Sequence, residues 1–328
     1  MSEAHKDRSD LTGIGFALLC ALNGAFVAPV ARLTTGRGDP LFVVTVTTCI
    51  AGMAAALVLL ARGNLGALVR GPRALGFVWL GALGTMLPNL LFFFGTARTS
   101  ALDAVLCLQV EPAYSLLLAW LVLGHRLTLR RVMSAAVLLA GIAAAITGQS
   151  SADPIGIGLL LAAPLAWQLS HLLVLRRLRD APPELLTGAR YVWGGVWLGA
   201  AALAFVAVTG TRLLPASLAD AQLPALTLQG VVLSYTGTML WYAAIARLDL
   251  ARATSIVVPS IPLLAIATAF LIVGEVPSAR QLAGFVLVAA GVLSFVRAPH
   301  AVETRERVPT QTAPLGAPAG DEAGGDAA

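Results

Sequence analysis

The chain has 328 residues, of which 58% are hydrophobic and 12% charged. Soluble domains average about 25% charged and 45–50% apolar residues, so the composition excludes an ordinary soluble fold and points to a polytopic membrane protein. The net charge of +5 then reports loop topology and not a nucleic-acid partner.

Residues 1–10 form a short charged segment. Ten apolar stretches follow, near 11–33, 41–61, 74–96, 101–123, 128–148, 155–177, 185–207, 224–246, 251–273 and 279–297. Each meets the roughly 20 residues a membrane-spanning helix needs. They are too long and continuous for the alternation of barrel strands. The expected fold class is all-α integral membrane, with ten transmembrane helices. Residues 298–328 are rich in Pro, Ala, Gly and acidic groups and predict a disordered tail. Cys20, Cys49 and Cys107 lie in apolar runs without metal-ligand spacing, so no disulfide framework or metal site is expected. No phosphate-binding loop, nucleotide motif or Ser/His/Asp ordering stands out. The expectation is therefore no cofactor, no catalysis, and any transport driven by gradients.

With the N-terminus inside, ten spans return the C-terminus to the same side. Sixteen Lys and Arg residues then face the cytoplasm and five face the other side, with Arg190 inside a span. That bias is the positive-inside signal.

Shifting the sequence by 150 residues places Pro112 on Pro262, Gly124 on Gly274, Arg130 on Arg280 and Gly141 on Gly291. Gly13-Ile14-Gly15 matches Gly156-Ile157-Gly158 at an offset of 143. The chain thus divides into two five-span copies, 11–148 and 155–297. Five is odd, so the copies are inverted relative to each other. Inverted repeats of this kind mark transporters, with the substrate site near the midplane between them. Duplication in a membrane protein of other purpose is the alternative.

Span four into five reads EPAYSLLLAWLVLGHRLTLRRVMSAAVLLAGIAAA, and span nine into ten reads PSIPLLAIATAFLIVGEVPSARQLAGFVLVAAGV. With the span count and the repeat, these paired Pro and Gly-Glu positions resemble the EamA-type members of the drug/metabolite transporter superfamily. Gly274-Glu275 keeps the Gly-Glu pair; the first copy has His125 there, and Asn23-Gly24 stands where Trp-Gly is usual. The resemblance implies a secondary transporter, an exporter of amino acids, related metabolites or amphipathic drugs, coupled to protons. It implies a multi-pass protein of the bacterial plasma (inner) membrane with both termini cytoplasmic.

Among single residues Glu111 leads. It lies ten residues into span four, about 15 Å deep at 1.5 Å per residue, near the middle of the bilayer core. A carboxyl there must pair, hold a proton or face the bundle interior, and it is a candidate for coupling or for binding a cationic group. A permanently protonated packing residue is the bland alternative. Pro112 removes the helical partner of the Leu108 carbonyl, and such breaks are tolerated where protein or a wet cavity supplies another. Pro259 and Pro262 occupy the matching depth in span nine, so both helices are expected to break there, with Ile261 opposite Glu111.

Asp103 reads as a helix-start acid. His171 and Arg190 share a depth and could form an inner polar gate or hold a substrate carboxylate; snorkelling is the competing expectation for Arg190. Asn23, Asn89, Gln109, Tyr114, Trp167, Gln168, Tyr191, Tyr235, Trp241 and Tyr242 supply candidates for an apolar pocket with a few polar groups. Trp79, Trp193 and Trp197 could face lipid or pack between helices, and Gly195 and Gly199 have the spacing of close helix packing. The expected partners are a small-molecule substrate, protons and the lipid bilayer, with the chain a monomer or weak homodimer. A lipid-modifying membrane enzyme and a non-transporting scaffold or sensor are the alternative functions.

Overall fold

The structure is a computed structural model that describes residues 3–124, 126–147, 153–213, 222–248 and 250–297. The predicted tail at 298–328 and His125 lie outside them. The described residues form helices and loops, with no strand.

Span one is α1 (Glu3–Thr35), span two α2 (Pro40–Ala61), and span three α3 (Ala74–Gly81) and α4 (Leu87–Arg98) joined by a π-helical turn, Ala82–Met86. Span four is α5 (Ala101–Leu108) and α6 (Glu111–Leu123); span five is α7 (Leu129–Ile146). The second half gives α8 (Pro154–Arg177) and α9 (Pro183–Thr209) for spans six and seven. Span eight is α10 (Leu223–Thr227), a π-helical stretch Leu228–Thr236 and α11 (Gly237–Leu248). Spans nine and ten are α12 (Leu250–Val273) and α13 (Ala279–Arg297). Nine stretches are individually long and apolar enough to cross a membrane among the described residues; the interrupted span eight supplies the tenth.

Local chemistry sets the helix ends. Asp39 and Asp153 accept backbone N–H groups at the starts of α2 and α8, and Pro40 and Pro154 follow in the first turn, where a missing N–H costs nothing. Gly124 and Gly274 end α6 and α12 in left-handed conformations, which favour glycine.

The two copies meet reciprocally. A Cβ on Gly141 would lie 2.8 Å from the Val288 nitrogen, and one on Gly291 2.7 Å from the Leu138 nitrogen. Each contact maps onto the other by the 150-residue shift. Gly13 against Leu248 likewise corresponds to Gly156 against Arg98. Such reciprocity is what a pseudo-two-fold arrangement produces. Spans two and seven pack through Gly52, whose Cβ would lie 2.7 Å from the Tyr191 carbonyl, and through Gly188 against Leu59. Gly195 joins that seam beside Cys49, but Gly199 faces open space, so only half of the predicted glycine pair packs.

The main core gathers Phe92, Phe93, Leu106, Leu138, Leu160 and Phe285. Leu11, Leu57, Leu121, Leu203, Leu271 and Val286 lie exposed on the outside. On a bilayer-embedded protein such a surface faces lipid.

The ends of the bundle are tied differently. At the face where α1 begins, Asp10 pairs with Arg252 at 2.7 Å and Arg62 with Glu184. At the opposite face, Arg98 pairs with Asp153 at 3.0 Å, and Arg32 donates to the Ala97 carbonyl at 2.9 Å. Span four is enclosed unevenly between them. Its opposite-face half, α5, is buried and packs on α1, α4, α7, α8, α12 and α13. Its N-terminal-face half, α6, packs chiefly on α7 and α8, and none of residues 111–122 is fully buried. Span four is therefore enclosed by six helices in its far-face half, while its other half lies at the edge of the bundle with Leu117, Trp120 and Leu121 exposed.

Candidate functional site

Span four breaks where Pro112 requires. Gln109 and Val110 form a tight turn, their N–H groups donating to Leu106 and Cys107 at 3.1 and 3.2 Å. Glu111 and Pro112 then open the first turn of α6. Proline fits there, and the positive end of the new half-helix favours an acid. Glu111 thus stands at a helix N-terminus inside the membrane block. Gln168 on α8 donates from Nε2 to Glu111 Oε1 at 2.8 Å.

Pro259 and Pro262 act differently from expectation. Helix α12 runs unbroken through both, so only one of the two matching spans is interrupted. The pseudo-symmetric contact is apolar: Ile261 packs on Gly24, whose Cβ would lie 2.9 Å from it. Residues 24 and 25 correspond to 167 and 168 at the 143 offset. One copy therefore carries the polar Glu111–Gln168 contact, and the other an apolar Ile261–Gly24 contact at the matching depth.

Arg190 does not snorkel. Its Nη2 donates to the Gly84 carbonyl at 2.8 Å. Gly84 is four residues before Pro88, which has no N–H to offer it. The proline and the π turn expose a carbonyl inside the bundle, and a guanidinium from α9 takes it. From there Arg190 acts electrostatically on Glu111, His171 and Tyr191. Tyr191 bonds the Ser234 carbonyl and Thr238 Oγ1, both at 3.0 Å, and meets Tyr235 edge to face at 6.5 Å between ring centroids. Glu111 is partly buried and His171 exposed.

The structure thus gathers Glu111, Gln168, His171, Arg190, Tyr191 and Tyr235, with Thr238 beside them. Tyr114 lies one turn along α6 from Glu111, half-buried against the main core, and Trp167 precedes Gln168. Asn23 donates to the Val232 carbonyl at 2.8 Å, joining α1 to the π-helical part of span eight. Gly237 permits that approach, since a Cβ there would lie 2.3 Å from Asn23 Oδ1.

Three candidates sit elsewhere. Gln109 is buried and donates back to Val105 of its own helix at 3.4 Å. Asn89 donates to Thr48 at 3.3 Å, a link between spans three and two. Trp241 packs with Ala17 and Ala21 of α1. Trp193 and Trp197 donate to the Leu68 and Val78 carbonyls, while Trp79 is exposed. Asp103 does start a helix, but it is buried and accepts from Gln281 at 2.9 Å. Thr238 and the Gly84 carbonyl were not among the sequence candidates. Pro88 was the available signal for Gly84, because any proline inside a span strands the carbonyl four residues earlier.

A carboxyl, a guanidinium, an amide and phenols can between them meet both ends of a small zwitterion or a polar head. Among the described residues, no three His, Cys, Asp or Glu side chains gather as metal ligands would.

Comparison with known proteins agrees with this architecture. A solved structure described as "Crystal structure of protein" superposes with a TM-score of 0.60 at 18% identity, covering 86% of this chain and 96% of its own. A "Probable terminal-alkyne amino-acid exporter" from Streptantibioticus cattleyicolor is 30% identical over 246 residues, 71% of this chain and 77% of the relative. The EamA-like transporter family matches twice, over residues 11–147 and 154–297, one match per five-span copy. The chain therefore belongs to the EamA-like transporter family, as a multi-pass membrane transporter of small metabolites.

Proposed function

We propose that the chain is a secondary active exporter of small amino-acid-like metabolites, coupled to protons and working by alternating access. The observation that carries this reading is Glu111, a carboxylate at a helix break within the membrane block, bonded to Gln168 and in the field of Arg190. A zwitterion presents an ammonium and a carboxylate, and Arg binds carboxylates through paired N–H groups. The relative's activity is in keeping with this substrate class. Coupling follows from economy of groups: Glu111 can hold either a proton or the cargo's cation, so the two exchange. The loading face is the one toward which α6 runs. The positive-inside bias makes that face cytoplasmic, in a bacterial inner membrane with both termini inside. The ten spans bury a complete core in one chain, in keeping with a monomer or weak homodimer.

The test is metabolite profiling of cells and medium from a strain overproducing the protein, beside the same strain carrying Glu111→Gln. The expected result is an amino-acid-like solute that accumulates outside only with the intact protein. Identical external profiles across an amino-acid panel would overturn the role of Glu111.

A further inference from the structure

We infer that Glu275 is a latch that holds the far face of the transporter closed. Helix α12 ends at Gly274, whose left-handed conformation (φ +69) turns the chain. The Glu275 N–H reaches back to the Ala269 carbonyl at 3.4 Å. Its carboxylate crosses to the other copy and accepts the first two N–H groups of α5, Ala101 at 2.9 Å and Leu102 at 3.1 Å. Helix N-termini carry unpaired N–H groups and partial positive charge, so a two-oxygen anion satisfies both demands at once.

A second bridge flanks the first. Ser278 and Gln281 cap α13 reciprocally, with Ser278 N–H to Gln281 Oε1 at 2.9 Å and Gln281 N–H to Ser278 Oγ at 3.2 Å. That cap leaves Gln281 Nε2 pointing at Asp103 Oδ1, 2.9 Å away in the first turn of α5. The corner between α12 and α13 therefore grips the start of α5 by a carboxylate and an amide. The gripped half of span four is the enclosed half; the half beyond the break at Gln109–Val110 is tied by hydrogen bonds to α8 alone, Gln168 to Glu111 and Arg176 to the Val122 carbonyl, among the described residues. For the site to open toward the far face, α5 must leave α1 and α12, which strips two N–H groups from Glu275. The contact thus sets which face the Glu111 site sees at rest.

The inference rests on the transporter reading for its consequence, but its test needs no cargo. Cys107 lies on α5, fully buried behind the latch. In a Cys20→Ala/Cys49→Ala background it becomes the single thiol among the cysteines of the chain. A membrane-impermeant thiosulfonate is applied separately to each face of oriented vesicles. Loss of a charge-assisted hydrogen bond predicts that Glu275→Gln raises the far-face labelling rate on the order of ten-fold, with near-face labelling unchanged or slower. Ala101→Pro removes one of the two N–H donors at a helix start that tolerates proline. It is expected to raise the rate by a smaller factor and keeps the test decisive if Glu275→Gln does not fold. Unchanged far-face labelling in a folded variant, or equal acceleration from both faces, would overturn the latch. Failed export with a responsive Cys107 would instead count against the proposed function and leave the latch standing.

Discussion

At the residue scale, the site is a set of carbonyls and charges left over by proline. Pro88 strands Gly84, which Arg190 takes. Pro29 strands Ala25 in the same way, and Thr268 of α12 donates to that carbonyl at 2.7 Å. Thr268→Val should therefore cost about 1–2 kcal/mol, the scale of a lost interhelical hydrogen bond. Pro29→Ala returns an N–H to Ala25, so the same Thr268→Val change in that background should be close to neutral. A double-mutant cycle read by thermal unfolding in detergent checks this; additive losses would show that Thr268 acts through packing. At the site itself, Glu111→Gln removes the charge seen by Arg190 and should lower export by about ten-fold or more, the cost of one charge-assisted hydrogen bond. Glu111 and Arg190 were legible in the sequence because ionisable groups in apolar runs stand out. Gln168 stood among the pocket candidates, but its pairing with Glu111 was not legible, because a lateral contact between spans four and six leaves no trace in spacing. Gln109, two residues before Glu111, instead donates to Val105 of its own helix.

At the element scale, the ten spans followed from length and hydropathy, and the 150-residue shift aligned Gly141 with Gly291, which the structure packs reciprocally. Gly291→Ala would place a Cβ 2.7 Å from the Leu138 backbone nitrogen, so it should destabilise by about 1–3 kcal/mol, as overpacking does. Gly199→Ala and Gly158→Ala meet open space and should leave the melting temperature unchanged. A melting series across the four variants, Gly141→Ala included, separates packing glycines from incidental ones. The π-helical interruptions in spans three and eight were not legible, since their composition is that of any apolar helix. The prolines illustrate a further limit. Pro112 begins a half-helix, whereas Pro259 and Pro262 sit inside an unbroken one. Proline guarantees a missing donor, but the surrounding packing decides whether the helix separates.

At the scale of the whole molecule, span four is buried among six helices toward one face and lies at the bundle edge toward the other. The Arg98–Asp153 bridge contributes to the end where it is buried. Its hydrogen bond to Arg98, helped by the Ile155 N–H, holds the Asp153 carboxyl below the usual carboxylate range. A depressed folded-state value means the contribution is fully present above the unfolded value of about 3.9 and is lost as pH falls through the folded one. Asp153→Asn should therefore lower thermal stability equally at neutral and mildly acid pH, and the difference from wild type should vanish in stronger acid. A difference that grows on acidification would contradict that assignment.

The proposed function stands on Glu111 coupling cargo to protons within an alternating bundle. The most direct test is flux of a labelled amino-acid panel in proteoliposomes of the purified protein, with and without an imposed proton gradient, for wild type and Glu111→Gln. The account predicts gradient-driven flux of at least one amino acid by the wild type and no response to the gradient in Glu111→Gln. Gradient-driven flux of equal size in both proteins, or no flux of any panel member by the folded wild type, would contradict it.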